Sequence, residues 1–317
     1  MKLSKEQKSF LKKVVEGTWS INPDTGFIDV EGSVNMSDMS LTEIPLKFGE
    51  VSFYFRCDNN RLTSLVGAPK SVGGGFHCYH NRLTSLVGAP KSVGGGFHCY
   101  HNRLTNLVGA PQSIGGDFYC YHNELTSLTG APQSVGGDFH CYQNKLTSLV
   151  GAPKSVGGDF VCFLNQLTSL MGAPQSVSGN FDCSNNQLNN LLGCPQFVKW
   201  DFICSRNQLT SLEGAPQSVG SDFFCNDNQL TSLVGSPKSI GNSFICYHNS
   251  FTNLEGAPKS IGGLFHIDLG YIDRKYYHVI IPKIEEMMEI SIELNKPDKY
   301  YYPYKEEYYN NKIINLL

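Results

Sequence analysis

The sequence predicts a solenoid of α/β type, mostly β: short coils stacked end to end, with a parallel sheet along one side. Three observations carry that prediction. Residues Arg61 to Asn81, RLTSLVGAPKSVGGGFHCYHN, recur letter for letter from Arg82 to Asn102. A cysteine returns every twenty-one residues, from Cys57, Cys78 and Cys99 on to Cys246. Phe two places before each of these cysteines alternates with variable residues, which is the period of a strand with one buried face. In such an array each coil touches only its neighbours, so 317 residues do not imply two globular domains.

Residues 1–33 read as an N-terminal cap. Ser4 and Gln7 have the spacing of a capping box. Leu3, Phe10, Leu11, Val14 and Val15 form a helical apolar stripe, with Lys5, Lys8, Lys12 and Lys13 on the solvated face. Gly17 is expected to end the helix. Trp19–Ile21, the turn Asn22–Gly26 and Phe27–Val30 then predict a β-hairpin. Helix and hairpin together would cover the first coil, whose apolar side chains and strand edge are otherwise bare.

The array is expected over 34–270, as twelve coils of which ten are regular. Counting back one period from Cys57 reaches Met36, and counting forward from Cys246 reaches Ile267. With the cysteine as position 0, Asn stands at +3 in every regular unit, from Asn60 to Asn249. Leu stands at +5 (Phe251 in the last unit) and at +8, Gly at +10, Pro at +12, and Val or Ile at +15. Phe, both leucines and Val are the inward residues of a coil too small to bury anything alone. The Asn column predicts a ladder of side-chain amides bonding backbone groups where the chain leaves the sheet. Gly-Ala-Pro and Gly-Gly forbid a long helix on the return path, which should be extended or polyproline-like.

The stretch FHCYHNRLTSL resembles the strand-and-turn signature of leucine-rich repeats, L-x-L-x-x-N-x-L, with Phe and Cys in two leucine slots. The short unit and its Pro-bearing return resemble the repeats of secreted bacterial effectors. The Cys-rich Gly-Ala-Pro variant is also similar to repeat proteins of large viruses and phages. The resemblance covers roughly 34–269 and implies a right-handed superhelix with its parallel sheet on the concave side. It departs from the pattern at Val72, which lies one place too far before Phe76, so the approach to each strand should be distorted. Nothing downstream resembles the ubiquitin-ligase domain that follows such repeats in some effectors.

Residues 271–317 are expected to form a helical, Tyr-rich C-terminal cap. Pro282–Asn295 reads as an amphipathic helix, and the tyrosines from Tyr300 to Tyr309 follow it. A protruding partner-binding helix is the alternative for this segment.

A net charge of −3 gives no general attraction to nucleic acid or anionic membrane. Met1–Phe10 has no apolar signal region, and eleven cysteines without one suit a reducing compartment. The expected location is therefore the cytoplasm, and the host cytoplasm on the viral resemblance. The cysteines have no C-x-x-C spacing, which argues against a metal cluster, and parallel in-register thiols suit disulfide geometry poorly. They are expected to be buried free thiols. No catalytic motif is present, so neither enzyme chemistry nor a cofactor is expected.

Function should lie in the residues flanking the buried Phe and Cys. At +1 stand Tyr79, Tyr100, Tyr121 and Tyr142; at −1, His77, His98, Tyr119 and His140; at +2, His80, His101 and His122. Arg61, Arg82 and Arg103 would rim this patch at +4, and Tyr and Arg are enriched at binding hot spots. Twelve strands make a sheet about 55 Å across, enough for a standard protein interface. The expected partner is another protein, a host or defence factor on the viral resemblance; a glycan stacked on the Tyr/His columns is the alternative. His77 with His80, or His98 with His101, could approach across coils, but no carboxylate is obviously placed behind them and no metal site is expected. Asp117, Asp138, Asp159, Asp201 and Asp222 at −3 are expected to bond backbone groups beside each strand.

Overall fold

A computed structural model describes residues 3–267 together with 275, 278–280 and 282–284. Helix α1 (Lys5–Val14) starts at the predicted capping box: Ser4 Oγ accepts the Gln7 N–H at 3.2 Å, and the Ser4 N–H donates to Gln7 Oε1 at 2.9 Å. Leu3, Leu11 and Val14 face the core. The helix ends before Gly17, because Val15 already opens strand β1 (Val15–Ile21). Gly17 serves the hairpin instead. It lies opposite Gly32 of β2 (Ile28–Asn35), at φ +126°, and a Cβ there would fall 2.1 Å from the Glu31 carbonyl oxygen. Only glycine allows the two strands this approach.

Strand β2 joins the cap to the solenoid. Its end, Val34–Asn35, pairs in parallel with Phe55–Arg56, while Ile28 and Val30 pair with Phe48 and Val51. Two ladders start from these pairings. In the first, Phe55–Arg56, Phe76–His77 and each later Phe-X pair stack in register to Phe265–His266. Counted from Val34–Asn35 it has twelve rungs, enclosing eleven turns of chain.

The second ladder is built from the Val/Ile slot. Glu50–Val51, Ser71–Val72, Ser92–Val93 and Ser113–Ile114 pair in parallel, and the series resumes from Ser134–Val135 to Ser260–Ile261. The return path is extended, as predicted, and part of it is itself sheet. The extra residue between Val72 and Phe76 forms the corner between the ladders. Backbones stack tightly there: the Gly95 N–H donates to the Gly74 carbonyl at 2.9 Å.

Phe, Cys and both leucines of every regular coil are essentially inaccessible. From Phe55 to Phe223 the Phe rings stack with centroids 5.3–5.5 Å apart. Burying each such side chain contributes about 1.5–3 kcal/mol. All eleven cysteines are buried free thiols, with pKa values raised by burial.

The Asn ladder closes the polar side of the coil. In a central unit, Asn144 Nδ2 donates to the carbonyls of Cys120 (3.2 Å) and Cys141 (3.1 Å), and Asn144 Oδ1 accepts the Leu125 N–H at 3.0 Å. Asn165 repeats the pattern one coil on, so each Cys carbonyl between them receives an amide from its own coil and one from the next.

Residues 278–280 and 282–284 are helical, and Ile280 is buried against the core. The remainder of the helix expected over Pro282–Asn295, and the Tyr-rich segment, lie outside the described residues.

Candidate functional site

The alternation around each Phe and Cys turns the −1 and +1 side chains away from the core. The strand itself is only two residues long, however, so +1 and +2 belong to the turn that leaves the sheet. His80, His101 and His122 all have φ +50°, as do their counterparts Gln143 (+51°) and Leu164 (+50°). The left-handed conformation at non-glycine residues costs of order 1 kcal/mol each. It brings the backbone round so that Asn at +3 can reach the carbonyls. The +2 histidines are thus set by the turn and not by the strand.

Three ring stacks result. Tyr79, Tyr100, Tyr121, Tyr142 and Phe163 lie 4.4–4.5 Å apart with planes within 8°. His77, His98, Tyr119 and His140 follow one another at 4.6 Å. His80, His101 and His122 stack at 4.4 and 4.2 Å, edge-on to the tyrosines. Because equivalent rings share one orientation, their spacing measures the coil-to-coil step at that depth. The step is 4.5 Å on the Tyr side and 5.4 Å at the Phe rings. The sheet therefore bends toward the tyrosines, and their face is the concave one.

The stacked rings are half-buried by one another, apart from the exposed His80 at the end of its stack. Burial and neighbouring phenols push Tyr100 and Tyr142 up to about 12, and burial with the adjacent His77 pulls His98 down to about 4. His77 and His140 are lowered for the same first reason, burial. At neutral pH the tyrosine stack and the His77–His98–Tyr119–His140 stack carry no charge. An Arg56–Asp58 ion pair at 3.3 Å bounds it toward the N-terminus. Beyond Phe163 the +1 and +2 columns turn polar, with Ser205 Oγ donating to Asn226 Oδ1 at 2.6 Å and His248 Nδ1 lying 2.8 Å from Asp227, while the −1 column carries Ile203, Phe224 and Ile245. Arg61, Arg82 and Arg103 are exposed one residue past the Asn ladder; their backbone N–H groups donate to Leu41, Leu62 and Leu83.

The −3 aspartates bond backbone as expected. Asp117 Oδ1 accepts the Asp138 N–H at 2.9 Å, Asp138 Oδ1 that of Asp159 at 2.8 Å, and Asp159 Oδ1 that of Asn180 at 2.7 Å. Two features escaped the sequence reading. Residues at +9 project to solvent, among them Val66 (64% exposed), Val150 (61%) and Met171 (58%); seven apolar residues at that slot were the available signal. The second is the meeting of Asp138, His140 and Asp159, whose ligand atoms all lie within 4.8 Å of one another. The offsets −3 and −1, read across adjacent coils, could have shown it.

Two in-register parallel ladders, a buried Phe/Leu core and an Asn ladder in a twenty-one-residue coil define a parallel β-solenoid of leucine-rich-repeat type. Among solved structures the chain is similar to YopM, a leucine-rich effector protein from Yersinia pestis, at 20% identity over 76% of this chain and 79% of that one, with a TM-score of 0.41. It is also similar to YopM from Yersinia enterocolitica, at 14% identity over 74% and 86%, with a TM-score of 0.29. No family model and no curated protein matches the chain. The fold assignment rests on the geometry of the coils.

Proposed function

We propose that this chain is a non-enzymatic scaffold that binds another protein on the aromatic half of its concave face, from His77 to Phe163. The observation that carries the reading is the continuous Tyr stack, which is ordered before any partner arrives. Aromatic side chains already fixed by their neighbours lose little conformational freedom on binding, so more of the contact energy is retained. Arg61, Arg82 and Arg103 would supply the charged rim. The resemblance to effector and viral repeats favours a host or defence factor as partner, met in a reducing cytoplasm. Among the described residues no helix is long and apolar enough to cross a membrane.

A glycan is less well suited to this surface. Sugar rings pack on free aromatic faces, whereas these rings cover one another's faces and present edges and hydroxyls outward. The test replaces Tyr100, Tyr121 and Tyr142 together with Ser. A protein captured from lysate by the parent chain should be held at least about tenfold more weakly by the variant, while its circular-dichroism spectrum stays that of a folded solenoid. Equal capture by both chains would remove the Tyr stack from the interface. Binding on a glycan array, in the absence of any protein, would favour the alternative.

A further inference from the structure

We propose that Asp138, His140 and Asp159 form a binding site for a divalent first-row metal ion of the Zn2+ class. His140 Nε2 is sealed from solvent and has no hydrogen-bond partner. It lies 3.9 Å from Asp138 Oδ2, too far for a direct hydrogen bond. An ion placed 2.0–2.2 Å from each donor holds donors roughly 3–4 Å apart, so this trio needs only a small closure to bind one.

The donors are already oriented. Asp138 and Asp159 each spend Oδ1 on a backbone N–H of the following coil, which fixes the carboxylate plane and leaves Oδ2 pointing elsewhere. Asp159 Oδ2 also accepts from Asn180 Nδ2 at 3.2 Å, the kind of supporting bond that steadies metal ligands. The His140 ring is held by stacking on Tyr119 at 4.6 Å. A cleft of about 510 Å³, lined in part by Gly158, Asp159, Asn180 and Trp200, gives solvent access beside Asp159.

The repeat supplies its own control. His98 occupies the same slot two periods earlier, and its Nε2 is also buried without a partner, yet its own coil has Gly96 at −3 where that of His140 has Asp138. Over Asp159 the −1 residue is Val161, and Tyr119 uses its hydroxyl on Asp117 Oδ2 at 3.1 Å. Only at His140, among the described residues, does an imidazole meet carboxylates from its own coil and the next. One imidazole nitrogen with two carboxylates is a donor set for Zn2+ and its first-row neighbours, whereas Ca2+ and Mg2+ prefer oxygen alone. Three protein donors leave a fourth position for water.

The test titrates the tag-free, chelator-treated full chain with Zn2+ by calorimetry and with Co2+ by visible absorbance. One ion should bind per chain, with a Co2+ spectrum that lacks a thiolate charge-transfer band. His140→Phe preserves the ring stack, and Asp159→Asn preserves the acceptor for the Asn180 N–H. Each should weaken binding at least about tenfold, while His98→Phe leaves it unchanged. No uptake by the native chain would overturn the assignment, leaving water as the bridge between these groups. So would a thiolate band, or uptake that both His140→Phe and Asp159→Asn leave intact.

Discussion

Asn144→Ala tests how the coils are held together. Asn144 makes bonds to two carbonyls of the cysteine column and accepts one backbone N–H. The carbonyls keep a second donor after the change: Asn123 still serves Cys120, and Asn165 still serves Cys141. The Leu125 N–H has no such reserve, and it is buried. One orphaned buried N–H costs about 1–3 kcal/mol, and each lost but replaceable bond costs about 0.5–1.5 kcal/mol. The expected loss is therefore about 2–6 kcal/mol, with the orphaned amide as its largest single part. Urea unfolding followed by circular dichroism should show a lowered midpoint, or a separate early transition if the array divides at that coil. Asn189→Ala, at an exposed site, should stay within about 0.5 kcal/mol of the parent. If Asn144→Ala unfolds together with that control, the ladder does not hold the coils and the reasoning fails.

Two further outcomes follow from burial. Above pH 6.5 the His98 imidazole is neutral in the folded and unfolded chains alike. Between 6.5 and about 4 only the unfolded chain takes up the proton, so stability should fall as pH falls through that window. His98→Phe keeps a ring between His77 and Tyr119 and should flatten the urea midpoint's pH dependence; an unchanged slope would contradict the burial of that ring. The cysteines offer a simpler check: the native chain should show almost no fast-reacting thiol toward an aromatic disulfide reagent, and the denatured chain eleven. Rapid labelling of the native chain would mean that the cysteine column is not inside.

Periodicity in the sequence was enough to set the coil length, the inward Phe, Cys, Leu and Val, the Asn ladder and the backbone-bonding role of the −3 aspartates. Each of these depends on what one residue type can do at one place in a unit that repeats. Four matters required the folded chain. The Val/Ile slot becomes a second ladder because neighbouring coils bring those segments into hydrogen-bonding register, which no single unit reveals. Gly17 belongs to a hairpin because Gly32 lies across from it, fifteen residues away in sequence. The +2 histidines enter a left-handed turn because the Asn beyond them must reach back to the carbonyls. Asp138, His140 and Asp159 meet because a one-coil step, about 5 Å in space, carries a residue twenty-one positions away into contact. Local pattern decides what points inward; only stacking decides which outward groups become neighbours.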